Sequence, residues 1–214
     1  MRITKLGHCA MVLEIDGVKI LTDPGSFTIG AQEGVTGLDA ILITHEHADH
    51  FHIESLHTVV RNNPEAAIIT NGSVAKLIAE AGITTTVTVV GDGQSTTLKA
   101  VSIEGFGKDH APIVETMGMV ENTAYMIGNK FYFPGDNFHA PGRAVDVLAL
   151  PVAGPWMKIS EAVLFAQTIG ARIAFGVHDG MLVPSFRAFP KMALNMFVPN
   201  TEYVTLADGE SREF

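Results

Sequence analysis

"THEHADH", residues 44–50, sets three histidines and two carboxylates in seven positions, at the end of the apolar run "LDAILIT" (38–44). A run that apolar reads as a strand buried on both faces, which belongs to a sheet covered by helices. The polar burst at its end therefore reads as a site mounted on a strand terminus. In an extended segment side chains i and i+2 project to the same side, so His45 and His47 can bind one ion. Asp49 and His50 follow a turn, are expected to open a helix, and would point at a neighbouring position. Imidazole and carboxylate are ligands for transition metals, so one short loop can serve two ions. His52 and His57 are assigned to the helix after the motif rather than to an ion.

Such a loop is incomplete alone and needs ligands from other strand ends. "FGKDH" places His110 after the strand-like run "LKAVSIEGF". "FPGD" places Asp136 after "KFYF", and "GVHDG" places His178 after "ARIAFGV". Each lies beside a glycine, which lets the backbone turn sharply near a ligand. Singly each is an ordinary turn residue; together with the cluster they read as a ligand set.

Outward from the motif, the chain alternates strands and helices. "AMVLEI" and "VKILTD" are strands joined by Asp16-Gly17, a strong hairpin signal. "AAIIT", "TTVTVV", "LKAVSIEGFG", "VDVLALPV" and "ARIAFGVH" read as strands, and "NTAYMIG" with "KFYFPG" as a second hairpin. Helices are expected over 73–82, between Ser73 as cap and Gly82 as stop, and over 160–170, between Ser160 and Gly170. Strands outnumber helices and the helices fall between them, which implies layered sheets covered by helices.

The 214 residues are 47% apolar and 17% charged, a composition that supports a large interior. A net charge of −9 disfavours nucleic acid as a partner. The single cysteine, Cys9, excludes an internal disulfide and is expected to be a small buried hydrophobe. No signal peptide and no membrane-spanning run is read, so a cytoplasmic location, with no membrane partner, is expected. No linker or repeat divides the chain, and residues 1–214 are read as one domain.

The stretches "GVKILTDPG", "THEHADH", "GKDH", "FPGD" and "GVHDG" occur in an order and spacing that resemble the metallo-β-lactamase-fold superfamily of metal-dependent hydrolases. The likeness is strongest to its small bacterial branch of hydrolases and sugar-phosphate lactonases, where a Gly-His pair near the N-terminus and a segment of the type "LLP.GG..TM...EA" recur. Here these are Gly7-His8 and "LALPVAGPWMKISEA". The resemblance implies an α/β fold, a four-layer αβ/βα sandwich with the site along one edge. It implies that His45, His47 and His110 hold one metal, that Asp49, His50 and His178 hold a second, and that Asp136 bridges them. Asp23, in "LTDPG", would support the histidine loop without being a ligand.

Two divalent ions are expected as cofactors, with zinc preferred over manganese or iron. They would activate a hydroxide against a small intracellular ester, lactone or phosphoester. Asp49 is placed to accept a hydrogen bond from the nucleophile and is a candidate to take its proton. His8 is a candidate catalytic residue toward substrate or leaving group, outside both coordination spheres. His139 is a weaker candidate for facing substrate, and Trp156 for the pocket wall. The partner is a small molecule, and a homo-oligomer stays open. Two other readings use the same motif: a mononuclear iron oxygenase acting on a thiol or persulfide, and a non-catalytic metal-binding sensor.

Overall fold

The computed structural model describes residues 1–214. The first half contributes β1 (Arg2–Gly7), β2 (Ala10–Ile15), β3 (Val18–Thr22), α1 (Ile29–Glu33), β4 (Ala40–Ile43), α2 (Ile53–Asn62), β5 (Ala67–Thr70), α3 (Gly72–Glu80) and β6 (Val87–Val89). The second half contributes β7 (Ser95–Leu98), β8 (Val101–Phe106), β9 (Ala124–Ile127), β10 (Phe131–Phe133), β11 (Val147–Pro151), α4 (Ile159–Ile169), β12 (Ile173–Val177), α5 (Phe189–Phe197), β13 (Glu202–Val204) and β14 (Ser211–Glu213). They form two seven-stranded sheets, ordered β14-β1-β2-β3-β4-β5-β6 and β13-β12-β11-β10-β9-β8-β7.

Alternation along the strands builds the layers. In β2, Met11, Leu13 and Ile15 face the other sheet, while Val12 faces the helices. In β4 the same split sends Ala40 and Leu42 inward and Ile41 and Ile43 outward, which is why its sequence is apolar throughout. A cluster of 24 buried residues fills the space between the sheets. One of 13 packs the first sheet against α2 and α3, and one of 16 packs the second against α4 and α5. The result is an α/β/β/α sandwich, the four-layer α/β architecture expected from the sequence. No helix is long and apolar enough to cross a membrane.

Strand direction brings the site together. β1 and β3 both run antiparallel to β2, and β4 runs parallel to β3, so all three end at the same edge. β8 and β10 flank β9 antiparallel, and β11 and β12 continue parallel to β10. The C-terminal ends of these strands carry His8, Asp23, the 44–50 motif, His110, Asp136 and His178.

Several local expectations shift. Asp16-Gly17 closes a two-residue hairpin with Ile15 opposite Val18, both turn residues at positive φ (48° and 78°). Asp49 and His50 open no helix. They sit in a turn closed by His50 N donating to His47 O at 2.9 Å, and α2 starts at Ile53 with His52 as its cap. The cap of α3 is Asn71, not Ser73: its side-chain oxygen accepts from Val74 N at 3.1 Å, while its amide donates to Thr44 O at 2.9 Å and ties the helix to the motif strand. The cap position of α4 is Lys158 rather than Ser160, with the Lys158 N–H donating to Glu161 at 2.5 Å. The run 98–107 is not one strand, since Lys99 at φ 53° folds it into the β7–β8 hairpin.

The loop after β3 is threaded against the motif. Ser26 N donates to Ala48 O at 2.8 Å and His52 N to Pro24 O at 3.1 Å. A Cβ on Gly25 would lie 1.8 Å from Asp49 O, inside backbone that cannot give way like a side chain. Gly25→Ala is therefore expected to lower folding stability by about 3 kcal/mol or more. Urea unfolding checks this; a parent-like midpoint would show that the two loops part without cost.

Candidate metal centre

The motif is held from behind before any ion is considered. The fully buried Asp23 carboxylate accepts from Thr44 N at 2.8 Å, Thr44 Oγ1 at 2.7 Å and His50 Nδ1 at 2.7 Å. Because the Thr44 hydroxyl spends its proton on Asp23, its oxygen is left to accept from His45 Nδ1, 3.0 Å away. His110 Nδ1 donates to Ala111 O at 2.5 Å. In His45, His50 and His110 the Nδ1 atom is thus engaged from outside and Nε2 faces the centre, which is how metal-binding imidazoles are oriented.

The side chains converge as two groups. Ligand atoms of His45, His47, His110 and Asp136 all lie within 4.8 Å of one another, and so do those of His8, Asp49, His50 and His178. Asp136 touches both. Its Oδ2 lies 3.3 Å from His110 Nε2 and 2.9 Å from His178 Nε2, and its Oδ1 lies 3.2 Å from His50 Nε2. These approaches lack hydrogen-bond alignment. Nε2 of His45, His50, His110 and His178 and Oδ1 of Asp136 are buried without a hydrogen-bond partner. Orphaned polar atoms cost free energy in a dry interior, so five at one point fit a ligand that pairs with all of them. The donor set suits divalent transition metals.

Charge follows the same plan. Burial holds the imidazoles of His45, His47 and His8 below the usual range, keeping them neutral as ligation requires. Burial alone would also lower His50 and His178, but the carboxylates they face raise both, Asp136 first among them. Burial would raise Asp136 and Asp49; the surrounding imidazoles instead hold both well below the ordinary carboxylate range. Ionised carboxylates among imidazoles favour positive charge at this point, which the protons of His50 and His178 supply until an ion displaces them.

All seven sequence-predicted ligands meet here. His8 lies closer in than the sequence suggested. Its left-handed backbone (φ 49°) turns the β1–β2 connection under the site, and its Nε2 contacts Asp49 Oδ2 at 3.1 Å. His52 caps α2 and His57 lies within it, and both stay outside the two groups. His139 is exposed and packs beside Gly107, away from the cleft lining. Trp156 lines the cleft, 6.0 Å between ring centres from both His110 and His178. Cys9 is packed between the sheets, its thiol pushed up by burial.

Two supports were invisible in the sequence. Asn122 accepts from Asp136 N at 3.0 Å and donates to Pro134 O at 3.0 Å, fixing the "FPGD" turn. Lys5 is buried in β1, with Nζ 2.5 Å from Asp179 Oδ2 and 3.1 Å from Gly176 O, clamping the turn that carries His178.

A family model described as beta-lactamase superfamily domain matches residues 2–178. A Mycobacterium tuberculosis protein is 36% identical over 192 residues, 87% of this chain and 88% of that one. A protein named metal-dependent hydrolase from Methanospirillum hungatei is 31% identical over 194 residues, 83% of this chain and 82% of that one. Among solved structures, a metallo hydrolase from the archaeon Ignicoccus hospitalis superposes with a TM-score of 0.75 at 21% identity, over 100% of this chain and 98% of that one.

Proposed function

Since the chain belongs to the beta-lactamase superfamily and is a metal-dependent hydrolase of it, we propose that its paired clusters hold two divalent ions and hydrolyse a small ester, lactone or phosphoester. His45, His47 and His110 would hold one ion and Asp49, His50 and His178 the other, with Asp136 between them. Zinc suits this His/Asp set best, ahead of manganese and iron. Residues 1–214 act as one hydrolase domain. The observation that carries the reading is the convergence of four unpaired, buried Nε2 atoms on Asp136.

When bound, the ions supply a nucleophile at neutral pH and stabilise developing negative charge. The protein's own part is orientation and proton transfer. Asp23, through Thr44 and His50, locks the imidazoles in one tautomer and direction. Asp49, held between His8 and His178, faces the cleft, where it can accept a hydrogen bond from the attacking water and take its proton. His8, fixed to Asp49 Oδ2, sets the angle of that carboxylate.

Metal content per chain, measured together with turnover of a mixed lactone, ester and phosphodiester panel, tests the proposal. About two ions are expected, with activity lost on chelation and restored on metal return. One bound iron with oxygen uptake would overturn it in favour of redox chemistry. Two ions without any turnover would favour a sensor.

His8→Ala is expected to keep both ions and lower activity roughly tenfold to a hundredfold, the scale for losing a partner that orients a ligand. His8→Gln should recover part of it, since an amide can still donate to Asp49. Loss of one ion in His8→Ala would make His8 a ligand instead.

A further inference from the structure

The cleft over the site is walled largely by apolar side chains above the histidines and carboxylates of the centre. One lobe, about 300 Å³, is walled by Ile113, Met117, Pro155, Trp156 and Met181 above Asp49 and Asp136. A second, about 240 Å³, lies beyond His47 and His110 under the loop 111–120, with Pro112, Val114, Met119 and Glu115 in its wall. His47, Ile113 and Met117 line both lobes. No lysine or arginine lines either one. Lys108 lines the adjoining groove on the far side of Met119 and Val120, among Asp92, Asp109 and Glu121. Lys5 is committed to Asp179, and Arg187 lies 3.8 Å from Asp208.

From this lining we infer that the substrate is an uncharged carboxylic ester or lactone with an apolar chain, rather than a phosphoester. The inference rests on the hydrolase reading above and narrows it. An anionic phosphate buried here would meet Glu115 and no guanidinium or ammonium donor from the protein, in a chain of net charge −9. An alkyl chain meets side chains that reward burial, and the flexible thioethers of Met117, Met119 and Met181 adapt to different shapes. In the reaction the oxygen of water bonds to the acyl carbon. The acyl–oxygen bond breaks, its electron pair leaves on the alcohol oxygen, and that oxygen takes a proton. A carboxylic acid and an alcohol result, or one hydroxy acid from a lactone.

Trp156 is the sole tryptophan and stands in the cleft wall, so its fluorescence reports occupancy independently of turnover. The metal-loaded protein is titrated with ethyl methyl ketone and hexyl methyl ketone, neutral mimics that are not hydrolysed. The longer ketone should bind at least roughly tenfold more tightly, and Met117→Glu should erase most of that difference without changing metal content. In parallel, p-nitrophenyl hexanoate should exceed p-nitrophenyl acetate at least roughly tenfold in kcat/KM, with p-nitrophenyl phosphate and its diester slower than both. Equal ketone affinities, equal ester rates or faster phosphoester cleavage would overturn the inference and leave a hydrolase standing. Failure to cleave any of these by protein holding two ions would bring down the hydrolase proposal itself.

Discussion

Asp49→Ala should lower hydrolysis by at least about a hundredfold, the usual scale for loss of a general base, while the fold survives. Asp49 is part of the second ligand group and faces the cleft, and its carboxylate is kept ionised by His178 and His8. It contributes little to the interior, which is filled by strands such as β4 and β12. The rate comparison is made at matched metal content, with circular dichroism to verify folding. Turnover equal to the parent under those conditions would remove Asp49 from the mechanism.

Asp23→Ala should have the larger effect on the protein itself, about 3–5 kcal/mol of stability. Its carboxylate is fully buried and satisfies Thr44 N, Thr44 Oγ1 and His50 Nδ1 at once. Alanine would strand all three in a dry interior and free the His45 and His50 rings to turn. Metal affinity should fall roughly tenfold to a hundredfold as well. Asp23→Asn keeps the shape and one acceptor, so it should fold better and still bind metal weakly. Urea midpoints and competitive chelation measure the two effects; parent-like values in both would mean that Asp23 merely fills space.

The legible parts of this molecule are those where local chemistry and tertiary role agree. β4 is apolar on both faces because both faces are covered, and its polar terminus then stands out. His110, Asp136 and His178 were readable as strand-end residues beside glycine. His8 was only half readable, because a single histidine after a glycine carries no sign of how the β1–β2 turn packs. Lys5 could not be found, since one lysine in an alternating strand looks solvated until Asp179 is seen beside it. The β7–β8 hairpin was missed because Lys99-Ala100 lacks the usual turn residues. α5 was missed because Met192, Met196 and Phe197 are exposed, which blurs the apolar stripe. β14, "SRE", is exposed and recognisable only through its pairing with β1.

The central claim, a two-ion site, is tested most directly by anomalous diffraction from crystals grown with zinc or manganese. The account predicts two peaks about 3.5–4 Å apart. One should lie among His45, His47 and His110, the other among Asp49, His50 and His178, with Asp136 reaching both. A single peak at saturating metal, or peaks away from these side chains, would contradict it.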